Sequence, residues 1–266
     1  MRPDLDVAAT LECEPDLLPY LPEILQDFDE LGSDPQHLIE CLEGECLANG
    51  IGYALDLCCG KGATSIALAK RFGMRIDGID AIDAFLDSAR AAALDAGVGE
   101  LCRFTTGDLC AVVTQPGSYD LVIFGSVGPI LGGITKTVTH LMTPVRSGGW
   151  IFIDDSVLLP GAPARPGFEA HAPLEETRRR VEMSGAEIVT VHSYDSDARG
   201  YDGDMERIVR RAVALVERRP DLADLVARYV ERQRGEYAFL ERWTRNVTWL
   251  LRKPGKVTPR SRACPG

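Results

Sequence analysis

The sequence has no long apolar run and no stretch typical of a targeting signal. None of its 266 residues lies in a segment with the roughly 18 consecutive apolar residues that a membrane-spanning helix needs. The first residues, Met1–Asp6, contain acidic side chains where a secretory signal would be basic, and they lack an apolar core. We therefore expect no membrane partner and a cytoplasmic location.

An excess of basic residues is also missing. The sequence contains 29 Lys and Arg against 40 Asp and Glu, and its formal net charge is −11. Proteins bind a nucleic-acid backbone through a basic face, so we expect no nucleic-acid partner. Two short arginine runs, 178–180 and 210–211, are expected on solvated helix faces.

The eight cysteines include no Cys-x-x-Cys pair. Cys41 and Cys46 are spaced differently from the ligands of a tetrahedral zinc site, so we predict no metal centre. In a chain of this length without a secretory signal, the thiols are expected to be reduced. Most are then expected to be small core side chains.

Hydrophobic residues make up 45% of the sequence and charged residues 26%, as in ordinary globular proteins. We expect one domain over residues 1–253 and a flexible tail over 254–266. Apolar spacing predicts helices over Tyr20–Leu31 and from Asp34-Pro35 through Cys46 to Asn49. These helices belong to a predicted N-terminal cap, residues 1–50.

After the cap, short strands alternate with helices. The first five predicted strands are Tyr53–Cys58, Arg75–Asp80, Cys102–Thr106, Tyr119–Phe124 and Trp150–Asp154. Such alternation indicates parallel strands with helices on both faces, which is a doubly wound, Rossmann-like α/β sheet. A sixth strand, Glu187–Tyr194, and a seventh, Asn246–Arg252, flank a predicted helical insertion over 201–244.

Three of the predicted strands end in chemically distinctive turns. Gly60 and Gly62 follow the first strand, and in a doubly wound sheet ligands bind at this end of the strands. Asp80 ends the second strand, where a carboxylate can accept hydrogen bonds from ribose hydroxyls. Asp108 ends the third, in position to meet an adenine amino group. Any one of these acids alone is more often an ordinary turn or helix-cap residue.

Together the turns resemble the cofactor motifs of class I S-adenosylmethionine-dependent methyltransferases. The matching stretches are Ala54-Leu-Asp-Leu-Cys-Cys-Gly-Lys-Gly-Ala63, Gly78-Ile-Asp-Ala-Ile82 and Thr106-Gly-Asp-Leu109, followed by Tyr119-Asp-Leu-Val-Ile and Ser147-Gly-Gly-Trp-Ile. The resemblance covers residues 53–159. It implies S-adenosylmethionine as cofactor, methyl transfer as the reaction and an antiparallel last strand.

The resemblance also implies roles for single residues. The methionine end of the cofactor is expected at Asp56, Cys58, Gly60 and Gly62, the ribose at Asp80 and Ala81, the adenine at Asp108 and Leu109, and the reacting methyl near Phe124 and Gly125. Cys58 departs from the pattern, because the family usually has a glycine there. A nicotinamide enzyme is the nearest alternative, but it would need a third glycine at position 65, which is Ser.

Candidate residues on the substrate side are less specific. Asp154 and Asp155 end the fifth strand, and His171 lies in the loop that follows. We name these three as candidate catalytic residues, although helix-cap, turn or solvent-facing roles are as common for such residues or commoner. The N-terminal helices and the insertion would cover the site, and such a cover favours a small-molecule acceptor over a macromolecule.

Two other functions stay open at this point. The chain would be a cofactor-binding or protein-interaction module if binding were retained without catalysis. It would be a thiol-assisted methyltransferase for arsenite or another metalloid if three thiols met beside the cofactor. The acceptor atom is not readable from the sequence, and a monomer and a homodimer are equally compatible with it.

Overall fold

Seven strands form one mixed sheet in a computed structural model that describes residues 3–45, 50–194 and 201–255. The strands are β1 Tyr53–Leu57, β2 Arg75–Asp80, β3 Cys102–Thr106, β4 Tyr119–Gly125, β5 Val145–Leu158, β6 Glu187–Tyr194 and β7 Thr244–Arg252. Their order is β3-β2-β1-β4-β5-β7-β6. Strands β1 to β5 pair in parallel, and β7 is antiparallel to both β5 and β6. The predicted seven-stranded Rossmann-like sheet with an antiparallel last strand is confirmed.

The described residues also form ten α-helices. They are α1 Pro3–Thr10, α2 Leu21–Ile24, α3 Pro35–Glu45, α4 Ala63–Phe72, α5 Asp83–Asp95, α6 Leu109–Val112, α7 Ile134–Leu141, α8 Leu174–Glu182, α9 Tyr201–Arg218 and α10 Ala223–Trp243. Helix α4 starts after Gly62 and ends at Gly73, both left-handed, and the N–H of Gly73 donates to the carbonyl of Ala69. Cys46, Asn49 and residues 256–266 lie outside the described residues.

The N-terminal region differs from its prediction. A single helix was expected over Tyr20–Leu31, but α2 ends at Ile24, and the chain from 25 to 33 follows an irregular path. A 3-10 helix over Pro15–Tyr20 precedes α2. Apolar spacing does not reveal such an early end, because Leu25 and Phe28 are buried without belonging to the helix.

The sheet has an apolar core on each face. A third core lies between the N-terminal helices and helices α9 and α10, which together we call the helical cap. Helices α3, α4 and α5 cover one face of the sheet, and α7 and α8 pack on the other. The third core joins the N-terminal segment, including Leu17, Leu21 and Ile24, to Ile208 of α9 and Tyr229 of α10. The N-terminal part of the cap reaches the carboxyl ends of the parallel strands, where ligands bind in such folds, because Ser33 lies against Gly125 at the end of β4.

Candidate active site

A cavity of about 670 Å³ opens at the carboxyl ends of β1, β2, β3 and β4. Its volume lies in the ordinary range for small-molecule sites. Eight residues that the sequence singled out line it: Asp56, Cys58, Gly60, Asp80, Ala81, Asp108, Leu109 and Gly125. The structure thus brings the ends of four strands and their turns to one space.

The turn after β1 depends on left-handed backbone at three residues. The φ angles are 56° at Cys58, 53° at Gly60 and 76° at Gly62. Gly62 does not line the cavity, because it faces the core: a Cβ there would come within 2.7 Å of the Phe104 ring. A glycine is needed at position 62 because Phe104 and Ala89 pack directly against the start of α4. Gly60, in contrast, exposes its backbone to the cavity.

Asp80 joins two turns at the cavity wall. Its Oδ2 accepts a hydrogen bond of 2.9 Å from the backbone N–H of Gly60, and its Oδ1 accepts one of 2.9 Å from that of Ile82. Burial raises the pKa of this carboxyl, and the backbone N–H donors oppose the rise. A carboxylate offers about four lone-pair sites, so Asp80 retains acceptor capacity for a ligand.

Asp56 is buried beneath the glycine turn. The hydroxyl of Ser65 donates to its Oδ2 at 2.6 Å. Burial raises the pKa of Asp56 to about 7, and the nearby carboxylate of Asp80 adds to the rise. The site therefore contains an acid that changes charge near neutral pH.

Asp108 has a structural partner as well as a place on the cavity wall. Its Oδ1 accepts a hydrogen bond of 2.8 Å from the N–H of Cys110 and so caps α6. Leu109 follows it as a buried apolar side chain. Ile79 and Ile82 line the same cavity. These residues form an apolar slot with a carboxylate at its edge.

Gly125 and Phe124 lie on opposite faces of the sheet, as neighbouring residues of a strand must. Gly125 lines the cavity, whereas Phe124 packs into the core on the other face. The predicted position of Phe124 beneath the cofactor is thus corrected. Ile123, which shares the face of Gly125, lines the cavity instead.

Residues of the chain before β1 cover the cavity, and we call this part of the chain the N-terminal segment. Within it, we define residues 29–33 as the roof of the cavity. Leu31 lies over the glycine turn, 3.2 Å from where a Cβ of Gly60 would be. Ser33 packs so closely on Gly125 that a Cβ there would lie 2.3 Å from its Oγ. Val7, Leu11 and Leu18 add apolar side chains farther out, with Phe85 and Ile130. Sequence reasoning expected a cover from this region but identified none of these residues.

The candidate catalytic residue Asp154 does not line the cavity. Its buried carboxylate accepts hydrogen bonds from the hydroxyl of Tyr194 at 2.8 Å and from that of Thr248 at 3.3 Å. His37 in turn lies 2.8 Å from the Thr248 hydroxyl. Asp154 therefore helps to hold β5, β6, β7 and α3 together beside the cavity.

Asp155 and His171 also lie outside the cavity lining. The Nε2 atom of His171 is 3.3 Å from Oδ1 of Asp155, and the imidazole packs on the ring of Phe168. Both residues line a separate space of about 30 Å³ on the face that contains Phe124. Alternation along β5 explains this, because Asp155 points away from the face of Asp154.

Three thiols, those of Cys58, Cys59 and Cys110, line the cavity. Burial and the carboxylates of Asp56 and Asp80 raise the pKa values of Cys58 and Cys59 far above the ordinary range. These two thiols therefore stay protonated, and a thiol must ionise to become a good ligand. Within ranges 3–45, 50–194 and 201–255, no three Cys, His, Asp or Glu side chains form a group that could hold a metal ion.

The lining fits an adenosyl cofactor. The backbone of Gly60 is bare toward the cavity, Asp80 has acceptor capacity left, and apolar side chains form a slot beside Asp108. Among the described helices, none has both the length and the apolar character to cross a membrane.

Comparisons with known proteins agree with this fit. A family model described as a methyltransferase domain matches residues 54–149. The matched segment contains most of β1, all of β2, β3 and β4, and the turns at Gly60, Asp80 and Asp108 that line the cavity. Residues 54–149 thus match the methyltransferase family that the sequence motifs resemble. The predicted family resemblance is confirmed for this segment.

One curated relative matches about half of this chain. A ribosomal protein L11 methyltransferase from an Exiguobacterium species is 31% identical over 132 residues, which are 47% of this chain and 39% of the relative. The chain thus spans well under half the length of that curated relative. The match concerns the domain and leaves the acceptor open.

Solved structures show the same fold over most of the chain. A methyltransferase from Geobacter sulfurreducens in complex with S-adenosylhomocysteine is 22% identical with a TM-score of 0.72, covering 87% of this chain and 96% of its own. One from Thiobacillus denitrificans, with the same ligand, is 20% identical with a TM-score of 0.71 and coverage of 87% and 97%. The [4+2]-cyclase SpnF, 15% identical, has a TM-score of 0.69 and coverage of 90% and 93%.

Proposed function

We propose that this chain transfers a methyl group from S-adenosylmethionine to a small-molecule acceptor bound in the cavity. The observation that carries the proposal is the continuity of this cavity. It runs from the turns at Gly60, Asp80 and Asp108 to a second part lined by the N-terminal segment and by Ser126, Val127 and Ile130. One part would hold the cofactor, and the other would hold the acceptor.

Within the proposal, the site residues take the roles that their positions support. Gly60 and Asp56 would hold the methionine end of the cofactor, Asp80 and Ala81 the ribose, and Asp108 with Leu109 the adenine. Gly125 would leave room beside the reacting methyl. When bound, S-adenosylmethionine supplies a methyl group that its sulfonium already activates. Asp154 and the Asp155–His171 pair take structural roles.

The acceptor part of the cavity supports an apolar acceptor without an anionic group. Its lining includes Val7, Leu11, Leu18, Phe85 and Ile130. Among the described residues that line the cavity, Lys61 is the one cationic side chain. Its ammonium is already bound to backbone carbonyls. A buried carboxylate or phosphate on the acceptor would therefore lack a partner. The protein's contribution to rate would be alignment of the two molecules and exclusion of water.

Cofactor binding is the first test. Isothermal titration with S-adenosylhomocysteine should give saturable binding, and Asp80→Ala should weaken it by about 10- to 100-fold, since two turns and the proposed ribose contacts depend on this carboxylate. Asp95→Asn, an exposed acid on α5, is the matched control and should bind normally. Absence of binding to the wild type would end the proposal.

Methyl transfer is the second test, because the [4+2]-cyclase shows that the fold alone does not define the reaction. The protein is incubated with S-[methyl-³H]adenosylmethionine and a panel of apolar amines, alcohols and thiols, matched carboxylates, arsenite and purified ribosomal protein. Label on an apolar small molecule supports the proposal. Label on protein or arsenite alone, or cofactor binding without any transfer, contradicts it.

A further inference from the structure

The side chain of Lys61 leaves the glycine turn and ends at the N-terminal segment. Its Nζ donates to the carbonyl oxygens of Leu25 at 2.8 Å, Gln26 at 3.2 Å and Phe28 at 2.6 Å. A lysine ammonium has three N–H donors, and three carbonyls occupy them. No donor of this group remains for a carboxylate of the cofactor or of the acceptor.

The bound carbonyls lie where the chain leaves helix α2, which ends at Ile24. Hydrogen bonds from a charged donor are stronger than those between neutral groups. The ammonium is half-buried, and burial lowers the pKa of Lys61, while the carboxylates of Asp29 and Asp27 oppose the change. Lys61 thus fixes a segment that has no regular secondary structure of its own.

The same segment is held from its other side by helix α9. Asp27 accepts hydrogen bonds of 2.7 Å from Arg210 and from the Nε of Arg211. These guanidiniums hold the pKa of Asp27 well below its usual range. Residues 25–28 are therefore fastened on one side to the turn proposed to bind the cofactor and on the other to the helical insertion.

The fastened residues lead directly into the roof, residues 29–33. Leu31 of the roof covers Gly60, and Ser33 covers Gly125. Because Lys61 lies between Gly60 and Gly62 in sequence, its side chain connects the glycine turn directly to the segment that leads into the roof. The turn and the roof form opposite sides of one cavity.

We propose that Lys61 is a positioning residue that makes the place of the roof depend on the state of the glycine turn. Cofactor binding to the turn thereby fixes the wall that faces the acceptor. The inference rests on the proposed function, since it needs a cofactor in the turn. It assigns to Lys61 a role in acceptor alignment and none in direct cofactor contact.

Hydrogen–deuterium exchange on the full chain tests this coupling, with S-adenosylhomocysteine as the probe. In the wild type, saturating ligand should slow exchange in peptides covering residues 25–33 by about tenfold, the size expected for stabilised hydrogen bonds to a charged group. Lys61→Met should abolish this ligand-dependent change while the turn itself is still protected. Lys61→Arg, which keeps a cationic donor, should restore part of it.

Lys70→Met is the matched control, because Lys70 is an exposed lysine on α4 and its loss changes the net charge equally. It should behave as the wild type. Affinity for S-adenosylhomocysteine, measured by titration, should weaken by no more than about tenfold in Lys61→Met, because that is the limit set by loss of the tenfold coupling and the ammonium makes no direct contact with the ligand.

The outcomes separate this inference from the proposed function. A residue that only stabilised the fold would speed exchange of 25–33 with and without ligand, and the ligand-dependent difference would persist in Lys61→Met. That result would overturn the inference alone. So would wild-type protein that binds the ligand without protection of 25–33, a measurement that does not depend on how well the variant folds. Wild-type protein that binds no ligand would overturn both proposals.

Discussion

Cys58 has a backbone conformation that favours glycine. Its φ of 56° is left-handed, which costs a residue with a side chain about 1–2 kcal/mol. Its position in the turn leading to Gly60 explains why the family usually has a glycine there. The side chain is half-buried at the cavity wall and packs against the core of the neighbouring face.

Substitutions at Cys58 should separate strain from packing. We expect Cys58→Gly to leave the free energy of unfolding within about 1 kcal/mol of the wild type, because relief of strain offsets lost packing. Cys58→Val should lower it by about 2 kcal/mol, because β-branched side chains tolerate this conformation poorly. Urea unfolding measures both. Equal effects of the two changes would contradict the argument.

Asp56 should make stability depend on pH in the direction opposite to most carboxylates. Burial raises its pKa in the folded protein to about 7, from the ordinary value of 3.8 for an aspartate side chain. Between these values the folded state holds a proton that the unfolded chain has released. The contribution of Asp56 to the free energy of unfolding therefore declines as pH rises through this range.

Asn mimics the protonated acid, so Asp56→Asn is the reference for this effect. The free energy of unfolding of the wild type, minus that of the variant, should fall by about 1 kcal/mol per pH unit as the pH rises from about 5 to about 7. Urea titrations across this range measure the difference. Asp95→Asn, on the exposed face of α5, should show no comparable trend. A constant difference for Asp56 would mean that its pKa is not raised.

At the scale of elements, the roof packs directly on the end of strand β4, where Ser33 contacts Gly125. A Cβ at Gly125 would lie 2.3 Å from the Ser33 Oγ and 3.0 Å from its Cβ. Ser33 is itself buried. The glycine therefore sets how closely the roof approaches the end of β4.

Gly125→Ala should displace the roof and lower the free energy of unfolding by about 1–3 kcal/mol, as overpacking does. The double variant Gly125→Ala with Ser33→Gly should recover much of this loss, because it removes the atoms that clash. Gly203→Ala, in α9 with no atom near the new Cβ, is the control and should not destabilise. Additive effects in the double variant would show that the two residues do not conflict.

The elements differ in how far the sequence predicts them. The predicted bounds of β2, β3 and β6 are those seen in the structure. Strand β5 is longer than predicted, because nine of its residues, from Trp150 to Leu158, pair with β7 from the far end of the chain. Local pattern does not contain that partner.

The residues of the candidate site also differ in how far the sequence predicts them, depending on whether their contacts are local or between distant segments. The turns at Gly60, Asp80 and Asp108 were predicted from residues close in sequence, and they line one cavity. The roof depends on Lys61 meeting Leu25 and on Ser33 meeting Gly125, which are contacts between distant segments. Asp154 and His171 were placed by sequence position alone, and their side-chain directions exclude them from the lining.

At the scale of the whole molecule, the helical cap is tied together by charge as well as by its core. Arginines on α9 and α10 pair with acids of the N-terminal segment, and each pair joins distant parts of the chain. They are Arg210 and Arg211 with Asp27, Arg218 with Glu23, and Arg228 and Arg232 with Glu14. These pairs are partly exposed, so salt should weaken them.

Native-state hydrogen exchange should therefore divide the molecule in two. Amides of the N-terminal segment and α9 should exchange faster when ionic strength rises from about 0.05 M to about 0.5 M, because exposed pairs are screened. Amides of β1 and β4, buried between two apolar faces, should show little change. Equal sensitivity throughout would mean that cap and sheet open together.

The place of β7 between β5 and β6 has a consequence for how the polypeptide folds during synthesis. Residues 244–252 leave the ribosome after the other six strands, yet β6 reaches the sheet only through them. The half that carries the glycine turn can assemble early, while β5 waits with an unpaired edge that is prone to aggregate. Chains truncated before Thr244 should accordingly be insoluble rather than merely inactive.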